Sequence, residues 1–314
     1  MGKELVENEL EIVQHPMMRY LEAFLVKMHS RALHGHDDLE IGLLLEGEVE
    51  LVLENSPHLL REGDVYLINR YQLHAFADTG KDNLILAFQI PSSLLRTLQP
   101  RMGTLRFLEN IPENPAVRES CKDMLEKCFR SYFSEDPYKE IDCASIMLSI
   151  LYTLLSQTQV RQFSDAEFQN FKSQTERINH VTDYVEHHYM EKISLQDLAE
   201  KENLSVYYLS HLIRNVTGYS FREYLNHQRF EHALRMIRSD TDYSLLDIAL
   251  QSGFSSTRYL NREFEERTGV DAKTFRRQIK AGTTEGQPEA SVRIPSGNVQ
   301  RRYTYEECVR YLQK

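Results

Sequence analysis

Four side chains between positions 207 and 214 are of the types that read a polar surface. Tyr207, Ser210, His211 and Arg214 stand at i, i+3, i+4 and i+7, so a helix over this stretch sets them in one solvent-facing stripe. Leu209, Leu212 and Ile213 then face the opposite way, toward a core. Further along, Arg258, Asn261 and Arg262 repeat the places of Tyr207, Ser210 and His211 at an offset of 51, again with apolar residues, Leu260 and Phe264, behind them. Arginine can pair bidentately with guanine and asparagine with adenine, so both stripes suit base edges in a major groove.

The elements that must hold these stripes also occur twice between Ser194 and Arg277. Leu198-Ala199, Leu204, Leu209, Ile213, Thr217-Gly218 and Tyr224 are matched by Ile248-Ala249, Phe254, Leu260, Phe264, Thr268-Gly269 and Phe275. The offset is 50 as far as Leu204/Phe254 and 51 from Leu209/Leu260 onward, so the second copy carries one extra residue at its turn. Each copy reads as a helix-turn-helix. Ser194 caps the first supporting helix, Asn203 allows a tight turn and Ser205 caps the outer helix, which stops at Gly218. In the second copy Gly253 makes the turn, Phe254 plugs it, and Ser255 or Ser256 caps the outer helix. One such pattern could be two packed helices of any all-α domain; two in register, each with a polar outer stripe, favour a two-site DNA reader.

Asp247-Ile248-Ala249, Gly253-Phe254, Tyr259-Leu260, Arg262, Phe264, Thr268-Gly269 and Phe275-Arg276 together resemble the signature of the AraC/XylS family of bacterial transcription regulators. The resemblance covers about residues 175–280. It departs from the family at Leu260, where Phe is usual, and at Ala272, where Pro is usual; both positions concern packing or a helix start. It implies seven helices, two helix-turn-helix units and a rigid helix between them over Phe221 to Arg238. Two recognition helices would then enter successive major grooves about 34 Å apart.

The chain has 314 residues, length for about two domains, and 41% hydrophobic against 27% charged residues, which is ordinary for a soluble protein. Its net charge of −10 is not the footprint of a general nucleic-acid binder. The acidity lies in front: residues 1–173 hold 17 Lys+Arg against 27 Asp+Glu, whereas residues 174–280 hold 15 against 16. Positive charge in the reader must therefore be concentrated on one face. Cys121, Cys128, Cys143 and Cys308 show neither CxxC nor metal spacing, which suits a reducing cytoplasm. Met1 to Gln14 is acidic without an apolar signal core, and no apolar run of membrane-spanning length occurs, so neither export nor a membrane partner is expected.

From Tyr20 to Ile90 the pattern changes to short strands: Tyr20–Met28, Leu39–Leu45, Glu48–Leu53, His58–Leu60, Asp64–Ile68, His74–Phe76 and Leu84–Ile90. Turn signals fall at Glu46-Gly47, Asn55-Ser56-Pro57, Arg61-Glu62-Gly63 and Asp78-Thr79-Gly80, which indicates a barrel or sandwich. The stretch resembles the cupin-type sensor domain found ahead of AraC-type DNA-binding regions. His34, His36 and Glu40 followed by Gly47 fit the first cupin motif, without its starting Gly; Gly63 and His74 fit the second, with Asn69 and Tyr71 replacing its Pro and Gly. That resemblance makes His34, His36, Glu40 and His74 the candidate effector-binding residues. Three imidazoles and a carboxylate could also hold a divalent metal; no cofactor is otherwise implied. Lining a pocket without metal, or a purely structural role, stay open beside it.

After Pro91, residues 91–172 read as helical. Ala116–Phe133 and Ile141–Val160 are the main segments, and the second is apolar over more than one face. One face can cover the barrel and the other can meet the same helix of a second subunit. Polar residues over Gln157–Gln174 mark a hinge. Gly282–Pro288 is a flexible run, and Tyr303–Lys314 can form a short helix outside the family core, packed back or hanging free.

The expected fold class is α+β: a cupin-like β-barrel with a helical dimerisation segment, then an all-α domain with two helix-turn-helix units. The expected domains are 1–162 for effector binding and dimerisation, 163–174 as linker, 175–280 for DNA binding, and 281–314 as tail. The function this implies is a cytoplasmic, homodimeric regulator that binds double-stranded DNA under control of a small-molecule effector, a sugar or related metabolite. Activation through RNA polymerase is the commoner behaviour in the resembling family. The alternatives are a metal-dependent cupin enzyme fused to a DNA-binding region, and a constitutive DNA-binding protein whose barrel only dimerises.

Overall fold

The computed structural model describes residues 18, 20–239, 242–281 and 298–313. The N-terminal stretch Met1–Gln14 and the run Gly282–Pro288 lie outside the described residues. The chain separates into two units, one ending at Thr175 and resuming at Asn298, the other beginning at Glu176.

The first unit starts with six strands, β1 (Glu22–His34), β2 (Leu39–Leu53), β3 (Ser56–Arg61), β4 (Val65–Ile68), β5 (His74–Ala77) and β6 (Asn83–Ile90). The sheet runs β3-β2-β5-β1-β6, and β2 also pairs with β6, so β2, β5, β1 and β6 close into a ring. Closure removes the exposed edges that an open antiparallel sheet would present. Several strands are longer than the sequence pattern suggests, β1, β2 and β3 most of all. Glu46-Gly47, expected as a turn, lies inside a continuous β2. The register against β6 shifts there, between Leu44 and Glu46, and β2 then pairs with β5 from Glu50. A bulge bends a strand without ending it, which is how one strand serves two partners.

Alternation along the strands builds two apolar layers. Val26, Met28, Leu44, Tyr66, Phe76 and Ile85 pack on one face. Leu25, Ile41, Leu43, Leu67, Leu86 and Phe88 pack on the other, beneath helical residues that include Leu125, Phe129, Ile150 and Leu154. Those helical residues belong to α2 (Pro115–Tyr132) and α3 (Lys139–Gln157), which follow the short α1 (Ser92–Leu98). The region 91–172 is not wholly helical: β7 (Leu105–Phe107) and β8 (Val160–Gln162) form a small antiparallel ribbon that ties the ends of the helical segment together. On α3, Cys143, Ile146, Met147, Ile150, Leu151 and Leu154 are buried. Ile141, Leu148 and Tyr152, on its other side, are 70%, 44% and 73% exposed.

The segment 163–174, expected as a linker, is mostly the first half of a continuous helix, α4 (Asp165–His188). Its polarity misled because an exposed helix face is polar too. Phe168 supplies the apolar anchor: it is buried, its ring lies edge-on to Tyr71 at 5.8 Å between centroids, and the Arg70 guanidinium sits 4.9 Å over it.

The second unit continues with α5 (Leu195–Lys201), α6 (Val206–Thr217), α7 (Phe221–Arg238), α8 (Leu245–Gln251), α9 (Thr257–Thr268) and α10 (Ala272–Lys280). Serines mark the starts. Ser194, Ser205, Ser220 and Ser244 each accept a hydrogen bond from the backbone N–H three residues on, and Glu223 and Asp247 complete reciprocal caps. For α9 the N-cap is Ser256, with no side-chain cap bond. Phe230, Ile237, Ile248, Phe254, Phe264 and Phe275 form one core with Leu260 and Ala272, the two departures from the family pattern, which are both fully buried.

The tail returns to the first unit. β9 (Val299–Arg302) pairs antiparallel with β1, and α11 (Tyr305–Leu312) buries Cys308 in the layer under α2.

Candidate functional site

The outer helices of the two repeats, α6 and α9, carry the stripes. Leu209, Leu212 and Ile213 of α6 are buried, while Tyr207 is 82% exposed and His211 and Arg214 are also exposed, with Ser210 half-buried beside them. The rings of Tyr207 and His211 stack at 6.4 Å, and Asn215 Nδ2 lies 3.0 Å from His211 Nδ1, so the stripe is partly ordered by its own neighbours. On α9, Leu260 and Phe264 are buried and Arg258 and Arg262 exposed. The Arg262 guanidinium lies 5.1 Å from the Tyr259 ring centre and its Nε is 3.7 Å from Glu266. These are loose, surface contacts that a ligand with stronger acceptors can replace. Asn261 is half-buried, and its Oδ1 has no hydrogen-bond partner among the described residues. Thr257 and Glu265 border the same surface and carried no separate signal in the sequence; Tyr259, part of the family signature, borders it too.

In the barrel, pairing brings the histidines together. His34 on β1 stands directly opposite His74 on β5 across a bulge between Arg31 and His34. Their ring centres are 4.1 Å apart, and the His36 ring lies 5.1 Å from that of His74. Each imidazole is held by its own backbone. His34 Nδ1 donates to Ala32 O at 2.9 Å, His36 Nδ1 to Asp38 O at 3.0 Å, and His74 Nδ1 to Gln72 O at 2.9 Å. A carbonyl can only accept, so in each neutral ring the lone pair is on Nε2. His34 Nε2 uses it to accept from Arg31 Nε at 3.3 Å. One nitrogen atom of each of the three rings lies within 4.8 Å of the others.

Burial keeps two of these rings uncharged. Desolvation, aided by the neighbouring imidazoles, lowers His34 well below its ordinary value. His74 falls to about 3 for the same reasons, against the opposing pull of Glu40.

Glu40 stands beside the trio. Across β2 and β4, Tyr66 is opposite Gly42, one step along the pocket face from Glu40; across β2 and β6, Glu40 is opposite Gln89. Tyr66 Oη donates to Glu40 Oε1 at 2.9 Å and Gln89 Nε2 to Oε2 at 3.1 Å. Gly42 is required there, because a Cβ would sit 2.1 Å from the Tyr66 ring. Burial pushes the Glu40 carboxyl up, but hydrogen bonding and charge from His36, with help from His74 and Gln89, bring it down to about 2. His36 Nε2 is 3.4 Å from Glu40 Oε2. With Nδ1 already donating, a proton or a cation between these two atoms satisfies both.

Three anchored imidazoles and one ionised carboxylate can bind hydroxyl groups of a small molecule, and the imidazoles are neutral nitrogen donors of the kind a divalent first-row ion accepts. Tyr66, Gln89 and Arg31 were missed in the sequence reading. Nothing local marks them, since each is recruited by strand pairing or a bulge.

Comparison with known proteins places both units. Residues 22–140 match the AraC-like ligand binding domain and residues 198–278 match a helix-turn-helix domain. The chain belongs to the AraC family of transcription regulators. An uncharacterized HTH-type transcriptional regulator of Staphylococcus aureus is 25% identical over 270 residues, 85% of this chain and 35% of that protein. The chain thus spans about a third of the length of the first curated relatives it matches. The melibiose operon regulatory protein of Escherichia coli (strain K12) is 22% identical over 262 residues, covering 78% of this chain and 83% of that one. Among solved structures, ToxT from Vibrio cholerae O395 aligns at 13% identity over 83% of this AraC-family chain and 98% of that chain, with a TM-score of 0.35. The two curated relatives are named as regulators, and neither supports the metal-dependent enzyme alternative.

Proposed function

We propose that this AraC-family chain is a sequence-specific DNA-binding transcription regulator, governed by a small hydroxyl-bearing molecule bound in its barrel. The observation that carries the DNA half is the pair of exposed stripes at corresponding places of α6 and α9, each backed by a buried apolar side. Tyr207, Ser210, His211 and Arg214 form the first reading face, and Arg258, Asn261 and Arg262 the second. Selection from a pool of random duplexes tests it: two short conserved blocks about one helical turn apart per subunit are expected. Recovery of no enriched sequence at low salt, with metabolite extract present, would remove the reading. Replacement of Arg262 by Ala should weaken the best site about 10- to 100-fold, the equivalent of about 1–3 kcal/mol, and relax preference at one base pair. Equal loss on every sequence would instead mark Arg262 as a phosphate contact.

The barrel half rests on His34, His36, His74 and Glu40, whose donors and acceptors are pre-oriented, with His74 and Glu40 buried and His34 and His36 half-buried. An effector shifts such a regulator only by binding one state better than another. The state we favour for the active protein is a homodimer joined through α3, where Ile141, Leu148 and Tyr152 make an exposed apolar stripe at i, i+7 and i+11. Leu148→Asp should turn a dimer into a monomer in sedimentation experiments while leaving each protomer folded; an unchanged sedimentation coefficient would move the interface elsewhere. Contact with RNA polymerase follows if the regulator activates, and its place of work is the cytoplasm.

A further inference from the structure

We propose that Cys128 on α2 and Cys143 on α3 form a dithiol that a hydroperoxide oxidises to a disulfide, pinning the two helices to each other. The inference does not depend on what the barrel binds.

The helical hairpin builds the pair. Cys128 stands four residues before the end of α2 at Tyr132, and Cys143 four residues after the start of α3 at Lys139, so the turn between the helices brings them level. They are 0% and 1% exposed. Cys128 Sγ lies 3.9 Å from Cys143 O, and Cys143 Sγ lies 3.6 Å from Cys128 O. Each sulfur thus reaches the backbone of the opposite residue, which requires the two helices to approach closely here. The Cys128 S–H is also within hydrogen-bond reach of the Cys143 sulfur. A disulfide is about 2.05 Å long, so two sulfurs in such contact close by roughly 2 Å to form one.

The two thiols are unequal, which divides the chemistry between them. The hydrogen bond from Cys128 holds Cys143 below the usual thiol range, against burial and with help from Ser131 and Lys139. Cys128 is pushed up by the same bond and by burial. Burial pushes Cys121 and Cys308 each up to about 11. The thiolate is the attacking form of cysteine, so Cys143 is the first sulfur to react. Its thiolate attacks one oxygen of the hydroperoxide and the O–O bond breaks. The leaving oxygen takes the Cys128 proton, and Cys143 becomes a sulfenic acid. Cys128, now a thiolate, attacks the Cys143 sulfur; the S–O bond breaks and hydroxide leaves, to be protonated to water. Two thiols are oxidised to one disulfide, and the hydroperoxide is reduced to an alcohol, or to water if it is hydrogen peroxide, and a second water.

The place of the pair suits a small oxidant. Residues 135–138 of the turn are exposed, as are Asp142 and Ala144 on either side of Cys143. Hydrogen peroxide, with two heavy atoms, needs only a brief opening at this edge of the hairpin. A disulfide formed in a reducing compartment is transient and suits redox sensing. Its mechanical effect follows from its neighbours. Leu125 and Phe129 of α2 and Ile150 and Leu154 of α3 cover the sheet, so the bond fixes how the two parts of that cover sit against each other. The exposed stripe of α3 begins at Ile141, two residues from Cys143.

The test uses the full-length protein, reduced and then treated with an equimolar amount of hydrogen peroxide. The expected product has two of its four thiols left, is lighter by about 2 Da, and yields one peptide pair joined through Cys128 and Cys143. It remains a single chain under denaturing, non-reducing conditions, and dithiothreitol restores it. Amide exchange over α2 and α3 should be about tenfold slower than in the reduced protein. In Cys128→Ser the oxidation should stop at a sulfenic acid on Cys143, and in Cys143→Ser oxidation of Cys128 should slow at least tenfold. Where a variant fails to fold, the peptide map of the parent protein decides. Bonds through Cys121 or Cys308, bonds between chains, or four free thiols at a dose that oxidises free cysteine in the same solution would overturn the dithiol. The expected bond with unchanged exchange in α2 and α3 would overturn the pinning.

Discussion

Replacing Gly253 by Ala should destabilise the second unit by about 3 kcal/mol or more and abolish DNA binding at 37 °C. Gly253 has φ +80°, in the left-handed region, and a Cβ there would lie 2.5 Å from Tyr189 O, 2.9 Å from Arg229 Nε and 2.9 Å from Met190 Cα. Backbone strain alone is worth roughly 1–2 kcal/mol. The clash adds more, because the contacted carbonyl is already in use: Arg229 Nε donates to Tyr189 O at 2.7 Å and Nη2 to Glu191 O at 2.8 Å. Charged hydrogen bonds of this kind contribute about 1.5–3 kcal/mol each. The first repeat separates the two effects. Asn203 occupies the corresponding turn with φ 54°, so asparagine tolerates the conformation. Gly253→Asn should therefore relieve part of the strain but none of the clash, and be nearly as damaging as Ala. Urea unfolding followed by amide exchange in α7–α9 measures both; a midpoint shift below about 1 kcal/mol for Ala would show that the turn has room.

Acid should unfold the barrel well before its carboxylates titrate. The folded pKa of His74 is about 3, below the ordinary value of 6.5, because burial disfavours the charged ring. The unfolded chain therefore binds the proton that the folded chain refuses. Stability is fully present above pH 6.5 and falls as pH drops from there toward 3, by about 1.4 kcal/mol per unit for this one histidine. At pH 5 the loss is about 2 kcal/mol from His74, and His34 acts in the same direction. Glu40 works in a lower window. Its pKa of about 2 lies below the ordinary 4.5, so its contribution is lost only as pH falls from 4.5 toward 2. The interval from pH 6.5 to 5 thus isolates the imidazoles. His74→Asn should flatten the pH dependence of the barrel's unfolding midpoint by close to one proton. A parent protein equally stable at pH 6.5 and 5 would mean that these rings are charged or hydrated in the folded state.

Both results depend on features of unequal visibility in the sequence. The second unit was legible almost entirely, down to the limits of α7 at Phe221 and Arg238. Helical order is local: caps, a 3.6-residue period and turn residues lie close together along the chain, and a second copy at a fixed offset repeats every signal. The strands of the barrel were legible in place, but seven were expected where six form, because β2 was cut at Glu46-Gly47. A bulge and a turn use the same residue types, and only the partner strand distinguishes them.

What the sequence by itself determined was the order of the parts: strands, a helical layer, and a duplicated helix-turn-helix with its two polar stripes. It also singled out His34, His36, His74 and Glu40. Tertiary structure decided how those four relate. It set His34 opposite His74, placed Tyr66 and Gln89 on Glu40, and used the absence of a side chain at Gly42 to admit the Tyr66 ring. It also made 165–174 part of α4 and brought Gln300 and Arg302 beside residues more than 200 positions earlier. Strand pairing and burial join residues that are distant in sequence, and no local period encodes which edge a returning strand will find.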